Sequence, residues 1–97
     1  MAKGYWLINS TVTNPEGFAE YAKAVVPWIN SVGGRIIAKD LESDIREGLG
    51  GQLGVIIEFP SKQDAQKAYE APEYQEVMKL RLSNSSGTTL SIIEGLI

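Results

Sequence analysis

The chain contains no cysteine and no histidine. Without cysteine there is no disulfide, no thiolate nucleophile and no sulfur-ligated zinc. Without histidine the commonest general base, the usual triad member and the usual transition-metal ligand are all missing. No apolar run approaches the length of a membrane span. Basic residues are not in excess: nine Lys and Arg stand against twelve Asp and Glu, a net charge of −3. Such a chain lacks the electrostatic footprint that binds nucleic-acid backbones. The first residues, Met1-Ala2-Lys3-Gly4, lead directly into a strand pattern with no signal peptide between, so the expected location is the cytoplasm. No metal and no cofactor is expected.

What is present is ordinary globular material: 97 residues, 43% hydrophobic and 22% charged. This length supports one hydrophobic core and therefore one domain over residues 1–97. Residues 4–13 are aromatic and β-branched and read as a first strand. Trp6, Ile8 and Val12 lie on one side of it, and Tyr5 and Leu7, followed by Asn9 and Thr11, on the other. Large apolar groups on both sides do not suit a strand with one face in water.

Asn14-Pro15-Glu16 begins a helix, with Asn14 as cap, Pro15 at the first position and Glu16 near the positive dipole end. A Thr13–Glu16 capping box shifts this start by one residue. Phe18, Tyr21, Ala22, Val25, Ile29 and Val32 follow at helical spacing. Pro27 is expected to kink or shorten the helix, and Gly33-Gly34 to stop it.

Arg35 to Lys39 reads as a second strand and Gln52 to Phe59 as a third, joined by a long polar connection over residues 40–51. Ser61 caps a second helix carrying Ala65, Ala68 and Tyr69. Pro72 interrupts it, and a further stretch carries Tyr74, Val77, Met78 and Arg81. A turn is expected at Asn84-Ser85-Ser86-Gly87, followed by a last strand from Thr88 to Ile93.

The order β-α-β-β-α-β predicts an α+β, ferredoxin-like fold: a four-stranded antiparallel sheet with its helices on one face. The other face then needs a cover. A second copy of the chain, sheet against sheet, gives a homodimeric α/β barrel.

Several motifs have plain readings. Gly48-Leu49-Gly50-Gly51 precedes a strand and no Lys-Ser or Lys-Thr follows it, so it is a hairpin turn and not a phosphate loop. Asn9-Ser10-Thr11 and Asn84-Ser85-Ser86 fit a glycosylation pattern that has no meaning without export. Asp40, Glu42, Asp44 and Glu47 lack the calcium-loop arrangement. Tyr69, Tyr74 and Arg81 read as helix packing and a helix-end cation.

Arg35 and Glu58 carry more chemistry. They stand at nearly mirror positions about the long connection, so regular pairing makes them near-opposite neighbours on the face away from the helices. There they are either a cross-strand ion pair or the polar anchors of a mainly apolar pocket. Tyr5 and Asn9 are placed on the same face, their hydroxyl and amide suited to a carbonyl or phenol.

Several short motifs in order resemble the small bacterial proteins of domain-of-unknown-function family 1330. They are Gly4-Tyr5-Trp6, Thr13-Asn14-Pro15-Glu16 with Tyr21, Gly33-Gly34-Arg35, Ile57-Glu58-Phe59-Pro60-Ser61, Tyr69-Glu70-Ala71-Pro72-Glu73-Tyr74-Gln75, Arg81 and Glu94-Gly95. The resemblance covers nearly the whole chain. It departs at Ala71, where the family usually has Ser, and over Ile37-Ala38-Lys39-Asp40-Leu41, where the family tends to Arg-Gly-Gly. The resemblance implies a dimeric α/β barrel. That superfamily includes cofactor-free monooxygenases of aromatic polyketides, haem-degrading enzymes, muconolactone isomerase-like enzymes and stress-responsive proteins. Haem chemistry lacks its usual axial histidine here.

The expected function is binding of a small, mainly apolar ligand in a pocket between sheet and helices. Tyr5, Asn9, Arg35, Glu58 and Tyr69 are the candidate contacts. The alternatives are a cofactor-free monooxygenase or isomerase acting on an aromatic or enolisable compound, with Glu58 as base and Arg35 stabilising the anion, and a structural dimer whose barrel is filled by its own side chains. Expected partners are a second copy and a small molecule, with neither nucleic acid nor membrane.

Overall fold

The computed structural model describes residues 2–97. The elements are β1 (Gly4–Val12), α1 (Pro15–Ser31), β2 (Arg35–Asp40), β3 (Leu53–Phe59), α2 (Lys62–Glu70), α3 (Pro72–Asn84) and β4 (Ser85–Glu94). The strands form one sheet in the order β2-β3-β1-β4, every neighbouring pair antiparallel. Two interleaved βαβ units produce this order, the ferredoxin-like arrangement predicted from the element sequence.

The core lies between the sheet and the helices. Trp6, Ile8, Ile57 and Phe59 point into it from the two central strands, and Tyr21, Val25 and Ile29 meet them from α1. Trp6 is fully buried; its ring centroid is 5.2 Å from Phe59 and 5.0 Å from Tyr74. Its indole N–H donates to the Ala65 carbonyl at 2.8 Å, which ties β1 to α2. An indole is buried without penalty only when its donor finds such a partner.

Helix α1 runs through Pro27 to Ser31, without the predicted early end. Pro27 sits on the exposed side, and the buried stripe Tyr21-Val25-Ile29 holds the turns on either side of it. Its start is Asn14, whose side chain accepts from the Gly17 N–H at 3.4 Å, so Asn14 and not Thr13 is the cap. Ser61 caps α2 as expected, accepting from the Asp64 N–H at 3.0 Å.

The predicted turn at residues 84–87 is not a turn. Strand β4 starts at Ser85, and Ser85 and Ser86 already pair with Val12 and Thr11. The glycine there serves a β-bulge: the β1–β4 register shifts between Asn9 and Thr11, and Gly87 takes φ +62°, a conformation that side-chain-bearing residues avoid. A second register shift lies between Ile36 and Ala38 on β2. It changes which way the end of that strand faces, with consequences for the site below.

Candidate functional site

The predicted partners meet on the sheet face away from the helices. Glu58 is the register partner of both Arg35 on β2 and Tyr5 on β1. The Arg35 guanidinium donates to one Glu58 oxygen at 3.1 Å, and the Tyr5 hydroxyl donates to the other at 3.3 Å. The three side chains thus form a line across three strands. The Glu58 side chain is 16% exposed and that of Arg35 72% exposed, so the pair lies half in water. Burial raises the Tyr5 hydroxyl above its ordinary value; Glu58 adds to this by charge and hydrogen bond, and Arg35 opposes it. Both oxygens of Glu58 are engaged, which is the arrangement of a cross-strand ion pair. Asn9 shares this face two steps further along β1, beyond Leu7, paired with Gly54, and borders a shallow hollow of about 310 Å³ with Leu7 and Ile56.

Tyr69 is not brought to this line. It lies on α2, on the helix side of the sheet, with its ring centroid 6.0 Å from Trp6 and 5.5 Å from Tyr74. Its packing against the fully buried Trp6 leaves it a core residue.

A larger opening lies elsewhere. A groove of about 590 Å³ runs between α1 and the ends of β1, β2 and β3. Val12, Phe18, Ala22, Leu41 and Leu53 form its walls, with Lys23 and Lys39 beside them. It is the expected place, between sheet and helices, but none of the five predicted contacts lines it. Two backbone features shape it. Gly51, at φ +77°, brings the β2–β3 connection directly against the Ser10 carbonyl, where any Cβ would collide. The bulge on β2 then re-aims Lys39. In regular alternation Lys39 would share the face of Arg35; with one extra residue it pairs with Val55 and lines the groove instead.

Behind the groove lies a narrower cavity of about 50 Å³, and Phe18, Ala22, Lys39 and Leu53 wall both. Its polar lining comes from Ser10, Tyr21, Lys39 and Arg81, none of them among the five predicted contacts. The Tyr21 and Tyr74 hydroxyls lie 2.9 Å apart. Arg81, only 4% exposed, places its guanidinium against them and lines the cavity with Tyr21 and Ser10. Arg81 therefore does not cap a helix end in solvent. Tyr74, Val77, Met78 and Arg81 follow the i, i+3, i+4, i+7 spacing of a buried stripe, and this was the available signal. Burial works against the Arg81 charge, but the two tyrosine oxygens outweigh it, so the guanidinium holds its proton more firmly than usual.

Burial is also the main reason that the Tyr21 hydroxyl titrates well above its ordinary 10.0, with Tyr74 adding to the shift and Arg81 opposing it. The neutral phenol is favoured by the fold. Stability from this group is intact below pH 10 and falls above it, where the unfolded chain ionises first, at about 1.4 kcal/mol per pH unit. Between pH 10 and 11 the wild type is expected to lose about 1 kcal/mol more than Tyr21→Phe in urea unfolding. Equal losses would mean that Tyr21 ionises freely in the fold.

Among the described residues no group of three or more acidic side chains is arranged to hold a metal ion, and no helix is long and apolar enough to cross a membrane.

Solved structures share this architecture. A protein of unknown function from Rhodopseudomonas palustris superposes with a TM-score of 0.79 at 17% identity, over 99% of this chain and 84% of the other. A Nitrosomonas europaea protein provisionally named an antibiotic biosynthesis monooxygenase gives 0.66 at 12% identity, over 97% and 90%. A Bacteroides fragilis protein of unknown function, described as dimeric and ferredoxin-like in fold, gives 0.62 at 13% identity, over 95% of each chain. At these identities the likeness is one of fold. No curated protein matches the sequence. The profile of the domain of unknown function DUF1330 matches residues 3–96, and the chain belongs to that family.

Proposed function

We propose that the protein is a homodimer that binds one small, mainly apolar molecule per chain in the groove between α1 and the sheet. The observation that carries this reading is the groove itself: about 590 Å³ of space in a 97-residue chain, walled by apolar side chains with a few polar groups beside them. Small-molecule sites have this size and this composition.

The dimer reading rests on the other face. Leu7 and Ile56 lie side by side on the central strands, and Ile93, 42% exposed, sits next to Tyr5 on β4. A second copy packed on this face would cover them. The Arg35–Glu58–Tyr5 line supports a role in this interface more than one in proton transfer. A carboxylate with both oxygens engaged is poorly placed as a base and well placed to fix strand register and give the face a polar landmark.

Filling the groove tests the reading. Ala19 is exposed on α1 and borders the groove, so Ala19→Trp is expected to leave stability within about 0.5 kcal/mol of the wild type. The same change is expected to weaken uptake of the neutral fluorescent probe N-phenyl-1-naphthylamine by about tenfold or more. Unchanged, saturable uptake in the variant would place the binding site elsewhere.

A further inference from the structure

We propose that the natural ligand is an organic anion, its apolar body in the groove and its carboxylate or other oxyanion in the inner cavity against Arg81 and Tyr21; this rests on the groove reading above. Three independent features point there.

The first is a missing partner. Arg81 is 4% exposed, no carboxylate pairs with it in any salt bridge of the described residues, and its Nε finds no hydrogen-bond acceptor. A buried guanidinium without a counter-charge is costly, and buried donors in native proteins are satisfied almost without exception. An oxyanion entering the inner cavity, which Arg81 lines, would supply the acceptor that Nε lacks.

The second is charge. The chain as a whole carries −3, yet among the described residues every charged side chain that lines either cavity is cationic: Lys23, Lys39 and Arg81. Lys23 lies 3.7 Å from Glu20 in water, while Lys39 is turned towards the cavities only because of the bulge on β2. The fold thus spends an irregularity to put a cation where regular pairing would not.

The third is shape. The inner cavity, at about 50 Å³, has room for a carboxylate but not for a ring, and the outer groove, at about 590 Å³, has room for the ring. An amphipathic acid matches this division. With the Tyr74 hydroxyl donating to Tyr21 across 2.9 Å, the Tyr21 hydroxyl keeps its own proton for the same oxyanion, while the Ser10 hydroxyl lies 2.7 Å from that of Thr88.

The probes are 2-naphthoate and its neutral isostere 2-naphthamide, titrated by calorimetry at neutral pH. The expected result is binding of naphthoate about tenfold or more tighter than naphthamide. The preference is expected to vanish in Arg81→Met and to persist in part in Arg81→Lys. Methionine fills much of the same space, and replacing a buried charge by an apolar group is often well tolerated. A readout that needs no variant is the Arg81 Nε–H signal of the wild type, which naphthoate is expected to shift and naphthamide is not. Equal affinity for the two probes, or an Nε–H signal unmoved by saturating naphthoate, would overturn the anion inference and leave the groove in place. Failure of both probes to bind would overturn the groove reading itself.

Discussion

Trp6→Ala is expected to destabilise the protein by about 3–5 kcal/mol, the largest effect of any single side-chain truncation in this fold. Three losses combine at this site. The indole is completely buried, it packs on Phe59, Tyr69 and Tyr74, and its N–H is the bond that joins β1 to α2. Removing it leaves a cavity at the centre of the sheet and takes the indole donor from the Ala65 carbonyl. In a domain of this size each kcal/mol moves the melting temperature by about 4–8 °C, so a fall of at least about 12 °C is expected. Leu82→Ala is the control. Leu82 is 58% exposed, and its loss is expected to cost no more than about 0.5 kcal/mol. A Trp6→Ala protein melting within a few degrees of the wild type would mean that the core is not organised around this residue.

Ile56→Glu is expected to dissociate the proposed dimer while leaving each chain folded. Ile56 lies at the middle of β3, paired with Leu7 on one side and Ala38 on the other, and points away from the helices. In a single chain a glutamate there faces water. In the proposed dimer it is buried without a partner, at a cost of about 3–5 kcal/mol per buried charge, which weakens association by two orders of magnitude or more. Sedimentation equilibrium at micromolar concentration reads the change directly, and thermal unfolding checks that the chain is intact. A variant that stays dimeric would show that the copies meet through another surface.

Much of this fold was legible from residue pattern alone, because its signals are local and agree with one another. Asn14 and Ser61 announce their helices, Pro72 divides the second helical region, and the element order leaves little choice of topology. The opposition of Arg35 and Glu58 followed from their mirror positions about one connection, and the register pairs them directly. The ladder between them is not regular, however: continued unbroken from the Asp40–Gly54 pair it would set Arg35 opposite Phe59, and the bulge between Ile36 and Ala38 takes up the one residue that brings Arg35 opposite Glu58.

What escaped the sequence is what bulges and tertiary packing decide. A bulge leaves no periodic trace in a strand of six residues, so Lys39 could not be assigned to the helix side. Pro27 looked like a helix breaker because the cost of a missing N–H is local, while the packing of Tyr21, Val25 and Ile29 that outweighs it is not. Arg81 carries opposed signals: its position in the stripe points to burial and its charge points to solvent. The deciding factor, two tyrosine hydroxyls from α1 and α3 converging on it, is a contact between distant parts of the chain.

Two chains are proposed to associate, each holding one small molecule in its groove. Sedimentation velocity in the presence of N-phenyl-1-naphthylamine tests both parts in a single run, with the boundary followed at the protein and the probe wavelengths. The expected result is one boundary at the dimer's rate, carrying one probe per chain. A boundary at the monomer's rate, or a protein boundary that leaves the probe behind, would contradict it.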